Sequence, residues 1–297
     1  MSQPHSHTAT VPVHKTLYRG ERRLRIALVG LPNSGKTTLF EAVSSTSVER
    51  GKLAGTQSTY DECAVRIGFD EARLIALPSM HSLRHGGDED RAAFKYLLWG
   101  DERPPVSVHE PDGPPLPFAP PDVIVQVIDA TTLERHLELT LELAQLGRPL
   151  IIALNKVDEA QDRGLYINSV VLGAELGATV VRTVATMGQG IADVFRAAVA
   201  AVREMKLPRP QPPSPHIEKA LAPLAQLLAA PDITQAFRVP APLLLSEIAA
   251  ADAWFIGELE QHFAGRMQNV QQLLADAARG LPRPLDEELH EIGRAHV

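Results

Sequence analysis

Arg25-Ile26-Ala27-Leu28-Val29-Gly30-Leu31-Pro32-Asn33-Ser34-Gly35-Lys36-Thr37-Thr38 is an apolar run that enters G-x-x-x-x-G-K-T and then a helical pattern. A polyphosphate needs those parts in that order. Gly30 and Gly35 let the backbone turn so that its N–H groups point inward, and Lys36 brings a charge to the β- and γ-phosphates. Thr37 offers a hydroxyl to Mg²⁺, and the helix that follows aims its positive end at the anion. The segment therefore reads as a P-loop, with Gly30, Asn33, Ser34, Gly35, Lys36, Thr37 and Thr38 as nucleotide-binding candidates.

Outward from this loop, strands alternate with helices. Leu24–Val29, Ala64–Phe69, Arg73–Leu77, Val123–Ile128, Leu150–Leu154 and Thr179–Val184 read as strands. Thr37–Ser44, Arg91–Leu98, Leu133–Leu146, Val170–Leu176 and Ile191–Glu204 read as helices. That order predicts an α/β fold, a P-loop NTPase domain with a mostly parallel six-stranded sheet flanked by helices. The two strands within Asp61–Leu77 have no helix between them and predict an antiparallel edge pair. Ligands of such sheets sit at the carboxyl ends of the strands, where the P-loop falls.

The expected organisation is a leader over 1–21, the α/β domain over 22–206, a Pro-rich linker over 207–216, a small all-helical domain over 217–281 and a tail over 282–297. A Pro-rich stretch at 101–121 interrupts the first domain and reads as a surface loop, with docking to a reader of extended proline segments as the alternative. In the helical domain Ile217, Leu221, Leu224 and Leu228 share one face, as do Leu244, Ile248 and Phe255, and Met267, Val270, Leu274 and Ala277. Trp254 and Phe255 read as core.

Composition narrows the classes. The chain has 297 residues and a net charge of −7, which leaves no excess of positive charge for general nucleic-acid binding. The single Cys63 excludes an internal disulfide and reads as a small buried side chain in a reducing compartment. No apolar run reaches the ~18 residues of a membrane span, and no signal-peptide layout opens the chain. A cytoplasmic location is expected, at most at the cytoplasmic face of the inner membrane. His5, His7 and His14 lie in the leader, where weak metal binding is the alternative to plain disorder. Nothing in the sequence decides an oligomeric state, and a homo-oligomer stays open.

Asn155-Lys156-Val157-Asp158 follows the strand that ends at Leu154 and selects the base. A carboxylate accepts both donors of the guanine edge, N1–H and the exocyclic amine, and adenine has no such pair. Asp158 is the candidate acceptor, Lys156 lays its stem over the base, and Asn155 ties this loop to the P-loop. Asp158 as a helix N-cap is the competing reading. Ala185 and Thr186, after the last strand, stand where a backbone N–H meets the guanine carbonyl.

Several stretches in order resemble the cytosolic GTPase region of the FeoB family of ferrous-iron transporters. They are G-L-P-N-S-G-K-T-T-L-F at Gly30–Phe40, L-P-S-M-H-S-L at Leu77–Leu83, I-D-A-T-T-L-E-R-H-L-E-L-T-L-E-L at Ile128–Leu143, N-K-V-D at Asn155–Asp158 and G-Q-G-I at Gly188–Ile191. The resemblance covers roughly 22–206 and, more loosely, the helical segment through Leu274–Arg279. It implies a G protein (GTPase) domain that binds GTP and GDP with Mg²⁺, followed by a helical domain and a membrane permease partner. It also implies that Asn33 joins Lys36 as a catalytic candidate, through potassium binding. Two switch segments, Gly51–Thr59 and Pro78–Asp90, would carry the nucleotide state to the helices.

The chain departs from that pattern where the γ-phosphate is sensed. D-x-x-G, whose Asp holds Mg²⁺ through water, is replaced by Ala76-Leu77-Pro78-Ser79, so only the Ser79 N–H remains for the phosphate. Gln57 takes the position of the first-switch Thr, leaving Thr56 as the Mg²⁺ candidate one step away. Lys52 stands where an asparagine completes the potassium site, so its ammonium is either a stand-in for that ion or a solvated loop charge. His81 is a candidate for orienting water, or a plain surface histidine. Binding is thus expected to survive better than hydrolysis. A regulatory nucleotide-binding module without productive turnover is the alternative.

Overall fold

The computed structural model describes residues 23–44, 48–53, 56–83, 87–100, 120–210, 213–283, 285 and 288. The expected leader, with its three histidines, and all but the end of the Pro-rich stretch lie outside the described residues. Strands are β1 (Leu24–Val29), β2 (Glu49–Lys52), β3 (Thr59–Ile67), β4 (Asp70–Ala76), β5 (Val123–Asp129), β6 (Leu150–Asn155) and β7 (Thr179–Arg182). They form one seven-stranded sheet in the order β2-β3-β4-β1-β5-β6-β7. Only β3 runs antiparallel to its neighbours; the other pairs are parallel.

The seventh strand corrects the expected six. Glu49-Arg50-Gly51-Lys52 has three charged residues and no apolar alternation, so nothing in its pattern marks a strand. Pairing with β3 holds it, and Gly51 lets the Tyr60 ring lie against the backbone, where a Cβ would collide. The expected antiparallel pair is present as β3–β4, but it is not at the edge. Charged β2 covers that edge, which suits an exposed boundary strand.

Helices are α1 (Lys36–Val43), α2 (Asp88–Trp99), α3 (Leu133–Ala144), α4 (Val157–Asp162), α5 (Ser169–Leu176) and α6 (Ile191–Glu204). Then come α7 (Pro215–Leu228), α8 (Pro231–Phe237), α9 (Ala241–Ala249) and α10 (Ala253–Arg279). Strand β1 is buried at every position because helices cover both its faces. Ile26, Leu28, Val125 and Val127 pack under α1 and α6 with Leu39, Phe40, Val194 and Phe195. Ala27, Val29, Ile124 and Ile128 face the other way, toward α2 and α3.

The helical region continues that second layer. Ile217, Leu221, Leu224 and Leu228 of α7 are each at most 2% exposed, as their spacing predicts. Helix α2 is clasped between the sheet and these helices. Trp99 donates its indole N–H to the Phe237 carbonyl at 3.0 Å and lies 5.0 Å from the Trp254 ring. Arg91 pairs with Asp252, which also caps α10. Of the expected tail, Pro282 and Arg283 are exposed, whereas Leu285 and Glu288 are buried. No helix among the described residues is long and apolar enough to cross a membrane.

Candidate functional site

The loop Gly30–Gly35 leaves the C-terminal end of β1 and delivers Lys36 to the start of α1. Gly30 has no room for a side chain: a Cβ would stand 2.6 Å from the Val127 carbonyl oxygen and 2.8 Å from Ser34 Oγ. Gly35 has φ 95°, a left-handed conformation that costs an L side chain, and a Cβ there would strike the Asn155 amide. Asn33 is also left-handed, at φ 65°. Thr37 is exposed at the first turn of α1, and Ser34 Oγ is buried with no hydrogen-bond partner among the described residues.

Lys36 donates from Nζ to the Leu77 carbonyl at 2.5 Å. Burial lowers its pKa, and the nearby Asp61 carboxylate opposes that shift. The loop is thus anchored to Leu77, one residue past Ala76, whose methyl group is all that the end of β4 presents. Met80 donates its N–H to the Gly30 carbonyl at 3.2 Å and is fully buried, while Ser79 is exposed beside it.

Asn155 joins three segments. Its Nδ2 donates to the Ser34 carbonyl at 3.0 Å, and its Oδ1 accepts from the Ala185 N–H at 2.9 Å and from Thr183 Oγ1 at 3.3 Å. The Ala185 N–H is therefore committed to Asn155, with Thr186 exposed next to it. Lys156 adopts φ 58° and is itself the N-cap of α4. Asp158 lies in the first turn of that helix, so the N-cap reading of Asp158 does not hold. Its Oδ1 is buried without a hydrogen-bond partner among the described residues.

One participant escaped the sequence reading. Lys156 Nζ donates to the Asn33 carbonyl at 2.8 Å and to Asp129 Oδ2 at 2.6 Å. Asp129 Oδ1 in turn accepts from the Thr131 N–H and hydroxyl. Burial pushes the Asp129 carboxyl up, but the hydrogen bonds from Lys156 and Thr131 outweigh it and hold the pKa below the ordinary value. The stretch Asp129-Ala130-Thr131 carried the signal, an acid at a strand end with a hydroxyl two residues on.

Lys52 and His81 are both exposed, in keeping with a solvated loop charge and a surface histidine. Thr56 Oγ1 donates to the Leu53 carbonyl and accepts from the Ser58 N–H, so its hydroxyl closes its own turn. Lys52 is exposed at the end of β2, paired in register with Thr59. Of the two switch segments, 54–55 and 84–86 lie outside the described residues. His81 is exposed and lines a cavity of about 210 Å³ with Leu31, Asn33, Asp129, Arg135 and His136. Burial drives the His136 pKa from 6.5 to about 4, with Asp129 pulling the other way.

This geometry has counterparts. The family model FeoB_N, described as Ferrous iron transport protein B, matches residues 24–112 and 116–198. The Fe(2+) transporter FeoB of Escherichia coli (strain K12) is 34% identical over 174 residues, covering 57% of this chain and 20% of that protein. An Fe(2+) transport protein A/Fe(2+) transporter FeoB fusion protein of Porphyromonas gingivalis is 33% identical, over 58% of this chain and 18% of its own length. The chain thus spans about a fifth of the curated relatives it matches.

Among solved structures, a mutant of S. thermophilus NFeoB bound to GDP superposes with a TM-score of 0.74 at 24% identity, over 92% of this chain and 95% of that one. The cytosolic domain of T. maritima FeoB in a GMPPNP form gives 0.68 at 21% identity, over 92% and 98%. That of L. pneumophila FeoB gives 0.63 at 26%, over 91% and 98%. These likenesses share the fold through the helical region. With more than half of its residues matched to the family model, the chain belongs to the Ferrous iron transport protein B (FeoB_N) family.

Proposed function

We propose that this chain binds GTP and GDP between its P-loop and Asp158, hydrolyses GTP slowly, and serves a ferrous-iron transport system as its nucleotide-dependent part. One observation carries the guanine assignment: Asp158 Oδ1 is buried and has no partner among the described residues. A buried acceptor left unpaired costs about 1–3 kcal/mol, and the N1–H and amine of guanine relieve that cost where adenine leaves it standing. Asn155 holds the base loop against the P-loop, Lys156 flanks the base, and Ala185 and Thr186 border the guanine carbonyl.

At the phosphates, Lys36 exchanges the Leu77 carbonyl for the β- and γ-oxygens, and the N–H groups of the loop from Gly30 to Thr38 close around them. The hydroxyl of Thr37 fits the oxygen-donor chemistry of Mg²⁺, and Thr56 joins it after leaving its own turn. When bound, Mg²⁺ neutralises charge developing on the phosphate oxygens. Ser79 gives its N–H to the γ-phosphate. The side-chain oxygen of Asn33 suits K⁺. The partner is a membrane permease domain or subunit at the cytoplasmic side, by the relatives' names as Fe(2+) transporters and their far greater length.

Ala76 favours a second reading, a guanine-nucleotide module that signals through its helices with turnover lost. Single-turnover GTP hydrolysis with Mg²⁺, with and without K⁺, separates the two when measured beside GDP and GTP affinities. Turnover above the Lys36→Ala control supports the enzyme. Tight GDP binding with hydrolysis equal to that control leaves the module. If ATP competes equally with GDP, the role given to Asp158 is wrong.

A further inference from the structure

Strand β4 ends without an acid to serve the P-loop. Ala76 presents a methyl group, and Leu77 offers Lys36 only a carbonyl. Directly across the antiparallel pair, however, Ala76 is in register with Asp61 of β3. Residues directly opposed on neighbouring strands point to the same face, with Cβ atoms about 4.5–5.5 Å apart. A carboxylate missing at position 76 is therefore present one strand away.

The face is the one the nucleotide would need. Period-two alternation puts Asp61 on the same side of β3 as Cys63 and Val65, which pack with Leu39 and Phe40 of α1. That helix begins at Lys36 and Thr37. Asp61 also lies near the end of β3 that meets the carboxyl end of β4, beside the P-loop. Its charge reaches Lys36, whose pKa it raises against the effect of burial.

The carboxylate is free to change partner. Asp61 pairs with Arg50 of β2 at 3.0 Å, but the arginine side chain is 70% exposed and that of Asp61 39%. An ion pair that open to solvent is worth little. Mg²⁺ keeps several waters and takes one or two carboxylates beside substrate phosphates, so a carboxylate set back by one strand serves through water.

We infer that Asp61 supplies, from β3, the carboxylate that orients the water shell of nucleotide-bound Mg²⁺ in place of the one absent at Ala76. This rests on the guanine-nucleotide reading above. Arg50 releases Asp61 when the ion enters and turns to solvent. The sheet thereby keeps the charge of the site while moving it to a neighbouring strand.

The test is the Mg²⁺ dependence of binding a fluorescent, non-hydrolysable GTP analogue, with Mn²⁺ binding to the complex read by water-proton relaxation. Asp61→Asn is expected to weaken ion binding roughly 10–100-fold, as for removal of a group that orients a metal's ligands. The analogue's affinity in EDTA should stay unchanged, which also reports an intact fold. Arg50→Gln breaks the same ion pair and should leave ion binding at wild-type strength. Adding Ala76→Asp to Asp61→Asn should restore it. Wild-type ion binding by Asp61→Asn, or equal losses in Asp61→Asn and Arg50→Gln, overturns the inference while the functional reading stands. A wild-type chain that binds no guanine nucleotide overturns both.

Discussion

The side-chain amide of Asn155 donates to the Ser34 carbonyl across 3.0 Å and 121 residues of chain. The same side chain holds the Ala185 N–H, so the base loop, the P-loop and the segment after β7 share one hinge point. Asn155→Ala removes both bonds and strands buried backbone groups at each. Unfolding free energy should fall by about 2–3 kcal/mol, and GDP affinity should drop at least tenfold. Denaturant titration and calorimetry check the two separately.

Asp158→Asn keeps the shape of the side chain and reverses half of its hydrogen-bonding role. Guanine then faces an amide N–H with its own donors. GDP affinity should fall by about 100-fold or more, whereas a xanthine nucleotide, with a carbonyl where guanine carries its amine, should gain. Competition binding of the two diphosphates against the variant decides the matter. Unchanged preference would remove Asp158 from base recognition.

His136 is 3% exposed and its pKa is lowered by burial to about 4. A histidine depressed in the folded state binds its proton more readily when unfolded. Stability should therefore fall as pH drops from about 6.5 toward about 4 and level off below that, by up to about 3 kcal/mol from this group. Asp129 has the opposite protonation chemistry, yet its contribution is also lost toward acid. Its lowered pKa stabilises above the ordinary carboxylate range and fades as pH falls through the folded value. Urea unfolding of His136→Gln between pH 4 and 7 should show a flatter profile than wild type.

Trp99 ties the α/β layer to the helical region through its indole N–H and its contact with Trp254. Trp99→Phe leaves the Phe237 carbonyl unpaired and should cost about 1–2 kcal/mol. Trp99→Ala opens a cavity and should cost about 3–5 kcal/mol. Because one apolar core runs through both regions, thermal unfolding should remain a single transition followed by calorimetry. Two resolved transitions in wild type would contradict that coupling.

The P-loop was legible because its chemistry is local. Glycines at fixed spacing, a lysine and a hydroxyl must be consecutive for the backbone to wrap an anion, so Gly30–Thr38 announced itself. Helix α6 was read to its ends, Ile191–Glu204, because amphipathic spacing marks a face that must be buried. Strand β2 was not legible, since its charged residues are held by the neighbouring strand and Gly51 only has to make room for Tyr60. Asp129 was hidden for a related reason. Its role exists only once Lys156 arrives from 27 residues away.

Sequence alone determined which chemical groups the site has and that Ala76 lacks the acid. It determined the alternation of strands and helices too, because periodicity and turn residues act within a few positions of themselves. Tertiary structure decided which groups meet. The β3–β4 register sets Asp61 opposite Ala76, and the reach of Asn155 sets the base loop on the P-loop. Strand register and loop docking are settled by burial and by hydrogen-bond pairing over the whole sheet, and no short stretch of sequence contains that information.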